Sequence, residues 1–426
     1  MLPFQPHPDR AAAIDEAHAR PPVPLVPPVE VAHIAFRSAP PAAGELFRRI
    51  AGFELPSDAR HMLQRVSPAL MLRWQRHTEF YTATLFATGA REAVGVRASD
   101  IDGLMHFTPD DHPGIELIVA QRIHVIEAHD ELERLLPSDT RMAGGRLRGD
   151  VEVRTSFEPD GRGFVHFFVA AGGIGEEQLG RRVGRLIDVE TYRIMALLAL
   201  PLARRVSPRV AELEAELAEA IRLTGDEDTD DDVILDRLAN LASRAEALRA
   251  ETRYRFSASR AYYGLVEQRL ETLGEGKSGD HQTITGFIKT RLTPAISTIE
   301  SVAQRQATLS DDLGRALALL RTRVDIAVNR GNQALLASMD RRQGQQVAIQ
   351  EAVEGLSTVA ISYYAVGLIA YLLAGLDRAG LLPVSYPIAV AAAVPVVLGM
   401  VLVTIRAFKR RWFVRGGAPP PPSAGT

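Results

Sequence analysis

The chain has 426 residues, enough for two or three structural units with sizeable cores. Its formal net charge of -3 argues against a general nucleic-acid binder, which would carry a broad basic surface. It contains no cysteine, which excludes disulfides, thiolate metal sites and cysteine nucleophiles.

Residues 1–28 are rich in proline and hold the stretch HARPP at 18–22. Proline lacks an amide proton and pushes its predecessor toward extended backbone, so an extended arm lying across a folded domain is expected. His18 and Arg20 are read as anchors of that arm through hydrogen bonds. A basic stretch followed by an apolar one is absent here, so no signal peptide is expected.

Residues 29–175 read as a mixed α/β domain. The segment VEVAHIAF at 29–36 partly alternates and predicts a strand; 42–51 predicts a short helix. Residues 69–87 predict two strands or one long bent strand. The most polar part of that stretch holds Arg73, Arg76, His77 and Glu79. This cluster is the candidate ligand site, although the wet face of a strand favours a surface or inter-subunit ion-pair network. Residues 114–127 mix strand and helix signals. Residues 149–157 and 163–171 flank EPDGR and predict a hairpin turning at Asp160 and Gly161. His124 and His166 stand isolated in sequence, so structural roles are expected for both. The segment AAGGIGEEQLG at 170–180 matches neither phosphate-loop nor dinucleotide spacing and reads as an exit from sheet to helix.

Residues 176–352 read as a helical stalk region. The apolar run 194–203 is too short to span a bilayer, and Pro201 breaks it. The acidic run GDEDTDDD at 225–232 lacks the glycine and distal glutamate of a calcium loop, so it reads as a solvated loop capping a helix. Leu235, Leu238, Leu241, Ala245 and Leu248 recur at steps of three and four, and Tyr263, Val266, Leu270 and Leu273 continue the pattern. After GEGKSGD a helix is expected from near Gln282, interrupted at Pro294. Leu313, Leu317, Leu320, Val324 and Val328 again give a coiled-coil-like seam. At about 1.5 Å per residue, the soluble part of this last helix would extend on the order of 80 Å. Such a length needs partners, which other helices and copies of the chain can supply.

Residues 353–406 read as a two-helix transmembrane hairpin, with spans at 355–376 and 381–405. The uncharged runs are 355–376 and 379–405, and a bilayer core needs about 20 apolar residues in helix. Lys and Arg mark the cytoplasmic side of short loops. Arg341 and Arg342 precede the first span, Arg378 stands alone between the spans, and Arg406, Lys409, Arg410, Arg411 and Arg415 follow the second. Both termini are therefore expected to be cytoplasmic, with a basic then proline-rich tail at 407–426. Neither span carries a charge, which weakens a carrier reading; Asp377, between them, is the candidate pore-mouth residue.

Together these segments predict an α+β protein: an N-terminal mixed α/β domain, a long helical or coiled-coil stalk, and a C-terminal membrane hairpin. Five stretches look familiar in order: HARPP (18–22), RWQRHTEF (73–80), YRFSASRAYYGLVEQRL (254–270), LLRTRVDIAVNRGNQALLASMDRR (319–342) and VEGLSTVAISYYAVGL (353–368). Through them the chain, from its arm through the first span, resembles the DUF3422 family of uncharacterised bacterial membrane-anchored proteins. The resemblance implies a bacterial inner-membrane location and supplies no catalytic residue. In layout the chain is also similar to the CorA-type magnesium channels, which are homopentamers. Their Gly-Met-Asn signature is absent; the corresponding place reads AGLDRAG at 374–380. The expected function is that of a structural or regulatory homo-oligomer at a lipid bilayer, with a CorA-like cation channel as the alternative. No enzymatic activity, cofactor, metal or nucleic-acid partner is expected.

Overall fold

The computed structural model describes residues 5, 7–18, 21–56, 59–88, 113–136, 141–225 and 229–415. It divides into two compact units, 1–320 and 321–426.

The first unit is built on one eight-stranded sheet. Its strands are β1 (Val29–Ser38), β2 (His61–Ser67), β3 (Leu70–Arg76), β4 (Tyr81–Thr88), β5 (Ile115–Ile126), β6 (Ala143–Leu147), β7 (Val151–Pro159) and β8 (Val165–Ala170). Their order is β2-β3-β4-β1-β5-β8-β7-β6. All neighbours are antiparallel except β5 and β8. The stretch 114–127, ambiguous by periodicity, is the central strand β5. Its mixed signal arises because much of it is covered on both faces, which erases the apolar-polar alternation of a half-exposed strand.

One face of the sheet is covered by α2 (Pro40–Ala51). Leu46, Phe47 and Ile50 of that helix pack on Ile34, Phe36, Leu72, Trp74 and Leu85. Aromatic contacts pin this layer, with the Trp74 ring 5.2 Å from Phe47 and 5.7 Å from Phe36. A left-handed Gly52 (φ 82°) ends α2, and its amide donates to the Arg48 carbonyl.

The other face carries a helical layer. Val31, Ile123, Phe167 and Val169 point into it, and α4 (Glu176–Leu197) answers with Leu179, Val183, Leu186 and Ile187. A short helix, α3 (His129–Leu135), follows β5. Then α5 (Leu200–Thr224), α6 (Asp231–Leu273) and the first part of α7 (Ile284–Arg378) complete the layer. The three-and-four pattern is buried at Leu238, Leu241, Leu248, Leu270, Leu313 and Leu320. Helices 176–320, read as the start of a separate stalk, thus join the sheet in one unit. The sheet's second apolar face cannot be left wet, and these helices are what cover it.

Two further expectations are corrected. Arg10–His18, placed in an extended arm, forms helix α1, because RAAAIDEAH contains good helix formers and no proline. Residues 21–28 carry no helix or strand, and there Val23 and Leu25 are buried while the Leu25 amide donates to the Glu176 carbonyl. Gly180 is required at this crossing, since a Cβ would stand 1.9 Å from the Val23 carbonyl oxygen. Pro294, expected to interrupt a helix, lies inside α7. Burial of Ile288, Leu292, Ile296 and Ile299 on one face outweighs the lost hydrogen bond, which costs about 3 kcal/mol.

The second unit holds residues 321–378 of α7 and helix α8 (Tyr386–Arg415). Gly380 (φ 69°) closes α7: its amide donates to the Asp377 carbonyl and the Leu381 amide to the Leu376 carbonyl. The second apolar helix therefore starts at Tyr386, not at 381, after a link containing Pro383. Both helices are long and apolar enough to cross a membrane, and only 6 % of each apolar window is buried. Ser362 and Val397 are the buried residues of this unit among those described.

Trp74→Ala in the full-length protein should empty the centre of the α2 layer and cost about 3–5 kcal/mol. A urea melt in mild detergent reads this directly; an unshifted midpoint would contradict the packing.

Candidate functional site

Strands β3 and β4 are joined by a tight turn in which the His77 amide donates to the Phe80 carbonyl at 2.8 Å. Beside it the Arg76 amide donates to the Arg60 carbonyl at 2.8 Å, extending the β2–β3 ladder by one residue. Glu16 of α1, Tyr192 of α4, and Tyr262 and Leu265 of α6 close around this turn. They enclose a cleft of about 490 Å³, also lined by Arg60, His61, Arg76, His77, Thr78 and Phe80. Its floor is aromatic. Tyr192 and Tyr262 stack at 5.8 Å, Phe80 meets Tyr262 at 6.2 Å, and His77 lies flat on Phe80 at 4.2 Å.

The four clustered residues predicted from the sequence separate in the structure. Arg76 and His77 line the cleft. Glu79 turns to α6 and accepts from both terminal nitrogens of Arg255, at 2.7 and 3.0 Å, and from the Tyr254 hydroxyl at 3.4 Å. Burial, together with a hydrogen bond to Glu79, pushes the Tyr262 phenol upward. Arg73 lies elsewhere, its guanidinium 5.3 Å from the Phe86 ring centre. Arg73 and Arg76 differ by three along one strand, an odd step, so they leave opposite faces of the sheet.

Arg60, His61, Glu16, Tyr192 and Tyr262 were not singled out by sequence. They come from β2 and its approach, α1, α4 and α6. One signal was available: RWQRHTEF (73–80) and YRFSASRAYYGLVEQRL (254–270), two of the stretches that carry the family resemblance, meet through Glu79 and Arg255.

Behind the cleft the sheet and α4 share a buried polar network. His33 is 2.8 Å through Nδ1 from the Thr84 hydroxyl and 3.2 Å through Nε2 from the Thr191 hydroxyl. Gln121 donates to the Ile187 carbonyl at 3.1 Å. Burial, with Arg73 and His77 adding to it, holds His33 well below the ordinary imidazole range.

His124 and His166 are not isolated. They sit on the α2 face of the parallel β5–β8 pair, where register brings residues 42 apart together. His124 Nε2 is 2.9 Å from His166 Nδ1, and His166 Nε2 is 3.0 Å from the Asp160 carboxylate. Asp160 orders the hairpin turn by accepting from the Arg162 and Phe164 amides, both at 2.9 Å. Burial pushes its carboxyl upward, but the hydrogen bonds from His166, Phe164 and Arg162 outweigh that and leave it lowered. Burial, then His166 and Arg122, lowers His124 to about 4. At neutral pH His124 is therefore an uncharged ring, hydrogen-bonded to the His166 ring that holds the Asp160 carboxylate.

The remaining candidates are placed as follows. Asp377 lies in the last turn of α7, before Arg378. His18 ends α1 without a described side chain, and Arg20 lies outside the described residues. Residues 226–228 of the acidic run also lie outside; Asp230 caps α6 by accepting from the Asp232 amide at 3.1 Å. Among the described residues no three His, Asp or Glu side chains are grouped to hold a metal ion.

Fold and cleft together define an α/β unit with one mixed sheet between helical layers, followed by two apolar helices. The chain belongs to the DUF3422 family, described as a protein of unknown function, whose profile matches residues 5–412. The match extends past the first apolar helix through most of the second. No curated protein matches the sequence.

Folded His124 takes up its proton near pH 4, whereas an unfolded histidine does so near 6.5. The unfolded chain thus binds more protons in that window, and stability is lost as pH falls from 6.5 toward 4. In His124→Gln, urea midpoints at about pH 7 and pH 5 should differ less than in the wild type. An equal difference would refute the assignment.

Proposed function

We propose that this protein is a membrane-anchored structural or regulatory component that self-associates, with its α/β unit on the cytoplasmic side of a bacterial inner membrane. The observation that carries the proposal is the apolar surface of the second unit. Leu356 is 77 % exposed and Tyr371 83 %, with Tyr363, Leu368 and Val403 similarly uncovered. A water-soluble protein rarely keeps so large an apolar surface wet. Lipid covers it without further protein, and two crossings joined by the short link 379–385 return the chain to its starting side. The basic residues that flank the pair, set against the single Arg378 between them, support a cytoplasmic side for both ends.

Self-association rests on the stretch between Leu320 and the first span. There Leu335, Leu336, Met339 and Ile349 are each exposed by more than half. Copies of the chain are the partners this helix calls for. No catalytic step forms part of the proposal. A cation pathway with Asp377 at its mouth is the alternative; Arg378, the next residue, sets an opposite charge beside that carboxylate, so the anchor is preferred.

The full-length protein should sediment with membranes, resist alkaline carbonate, dissolve in detergent and then migrate as an oligomer. Reporters fused at either end should be active in the cytoplasm, and one inserted at Leu381 outside it. Recovery of intact chain in the soluble fraction, or reporters on opposite sides, overturns the anchor; a strict monomer in mild detergent overturns the assembly. Cation flux into proteoliposomes that is lost in Asp377→Asn would favour the channel instead.

A further inference from the structure

We propose that the cleft at the β3–β4 turn binds an organic phosphate at Arg60 and Arg76, in competition with the Glu16 carboxylate that already lines it. The inference goes beyond membrane anchoring and does not depend on it.

The first ground is an unbalanced pair of cations. Arg60 and Arg76 face each other at the end of the β2–β3 ladder, joined by the Arg76 amide and the Arg60 carbonyl. Like charges directly opposite on a sheet are destabilising unless something neutralises them. Some arginines of this unit are neutralised within the chain, among them Arg122 by Glu30, Arg154 by Glu152, Arg255 by Glu79 and Arg305 by Glu214. Among the described residues Arg60 and Arg76 have no carboxylate partner. The nearby carboxylate that could have served, Glu79, is already held by both terminal nitrogens of Arg255. Both residues line the cleft, and the guanidinium fork of an arginine matches the oxygens of a phosphate.

The second ground is an anion already there. Glu16 reaches into the cleft from α1, with its carboxylate 3.5 Å from His61 Nε2. The chain thus supplies its own negative group to a pocket otherwise lined by Arg60, Arg76, His61 and His77. The third ground is the floor. Phe80, Tyr192 and Tyr262 line it with aromatic rings, and about 490 Å³ is the size of a small-molecule site, not of a single ion. A phosphate ester with a planar body uses both the cationic mouth and the aromatic floor. Its source is either a soluble metabolite or the phosphate of a lipid headgroup.

The test is calorimetry on the full-length protein in mild detergent, with inorganic phosphate, adenosine monophosphate and glycerol 3-phosphate as probes. Adenosine monophosphate should bind at least tenfold more tightly than inorganic phosphate. Arg76→Gln should weaken it at least tenfold, with partial recovery in Arg76→Lys, and the Arg60→Gln, Arg76→Gln pair should abolish it. Glu16→Gln should tighten it severalfold by removing the internal competitor. Both arginines are exposed, so their replacement should not lower the melting midpoint, which separates lost binding from lost folding. Tighter binding of adenosine monophosphate than of glycerol 3-phosphate supports a soluble, planar ligand; the reverse, still sensitive to both arginines, supports a headgroup. Absence of binding by all three probes in both wild type and Glu16→Gln, or binding indifferent to the double substitution, overturns the site.

Discussion

A strand buried on both faces has no water to offer its polar side chains, and β1 is such a strand at the middle of the sheet. It nevertheless carries Glu30 and His33. Left unpaired, either would cost several kcal/mol, so the surrounding elements must bring partners to them. Glu30 accepts from Arg122 of β5 at 2.9 Å on one face. On the other, His33 is bonded to Thr84 of β4 and to Thr191 of α4. This second set locates α4 along the sheet, because Thr191 meets His33 in only one register. Tyr192, the next residue, is thereby delivered to the cleft, where it stacks on Tyr262 of α6.

The cleft is thus a consequence of how charge is settled around the central strand. Most ionic groups in the first unit are closed off in pairs. Arg193 grips Glu190 with two bonds of 2.7 and 2.8 Å, and Arg269 holds Asp188 at 2.8 Å. Such pairs add little net stability at a surface, but they remove charge from the reach of ligands. Arg60 and Arg76 are among the arginines that have no such partner in the described residues. Their positions at the end of a two-stranded ladder, with Glu79 diverted to α6, leave positive potential at the mouth of an aromatic pocket.

Much of the fold was legible because it follows from periodicity and punctuation. The strand at 29–36, the helix at 42–51 and the hairpin turning at Asp160 all reflect local patterns. So does the helix boundary beside Pro201. The less legible parts depended on burial. Residues 114–127 lost their alternation to burial on both faces. Pro294 reads locally as a break, yet four buried apolar residues around it carry the helix through. The cluster of Arg73, Arg76, His77 and Glu79 was half legible. Proximity in sequence put Arg76 and His77 in the cleft, while Arg73 lies against Phe86 and a distant arginine took Glu79. The His124–His166–Asp160 chain was invisible, since only the parallel register of β5 and β8 joins residues that far apart.

By itself the sequence determined the class of elements, the family and the presence of two helices able to cross a bilayer. Each is written in local composition: apolar length, turn residues, spacing at two or at three and four. Tertiary structure alone decided that helices 176–320 belong to the sheet's unit, which histidines meet, and which arginines lack a carboxylate among the described residues. Those outcomes depend on who meets whom across the fold. A side chain's charge is local, but whether that charge is neutralised is set by neighbours as far off in sequence as Arg255 is from Glu79.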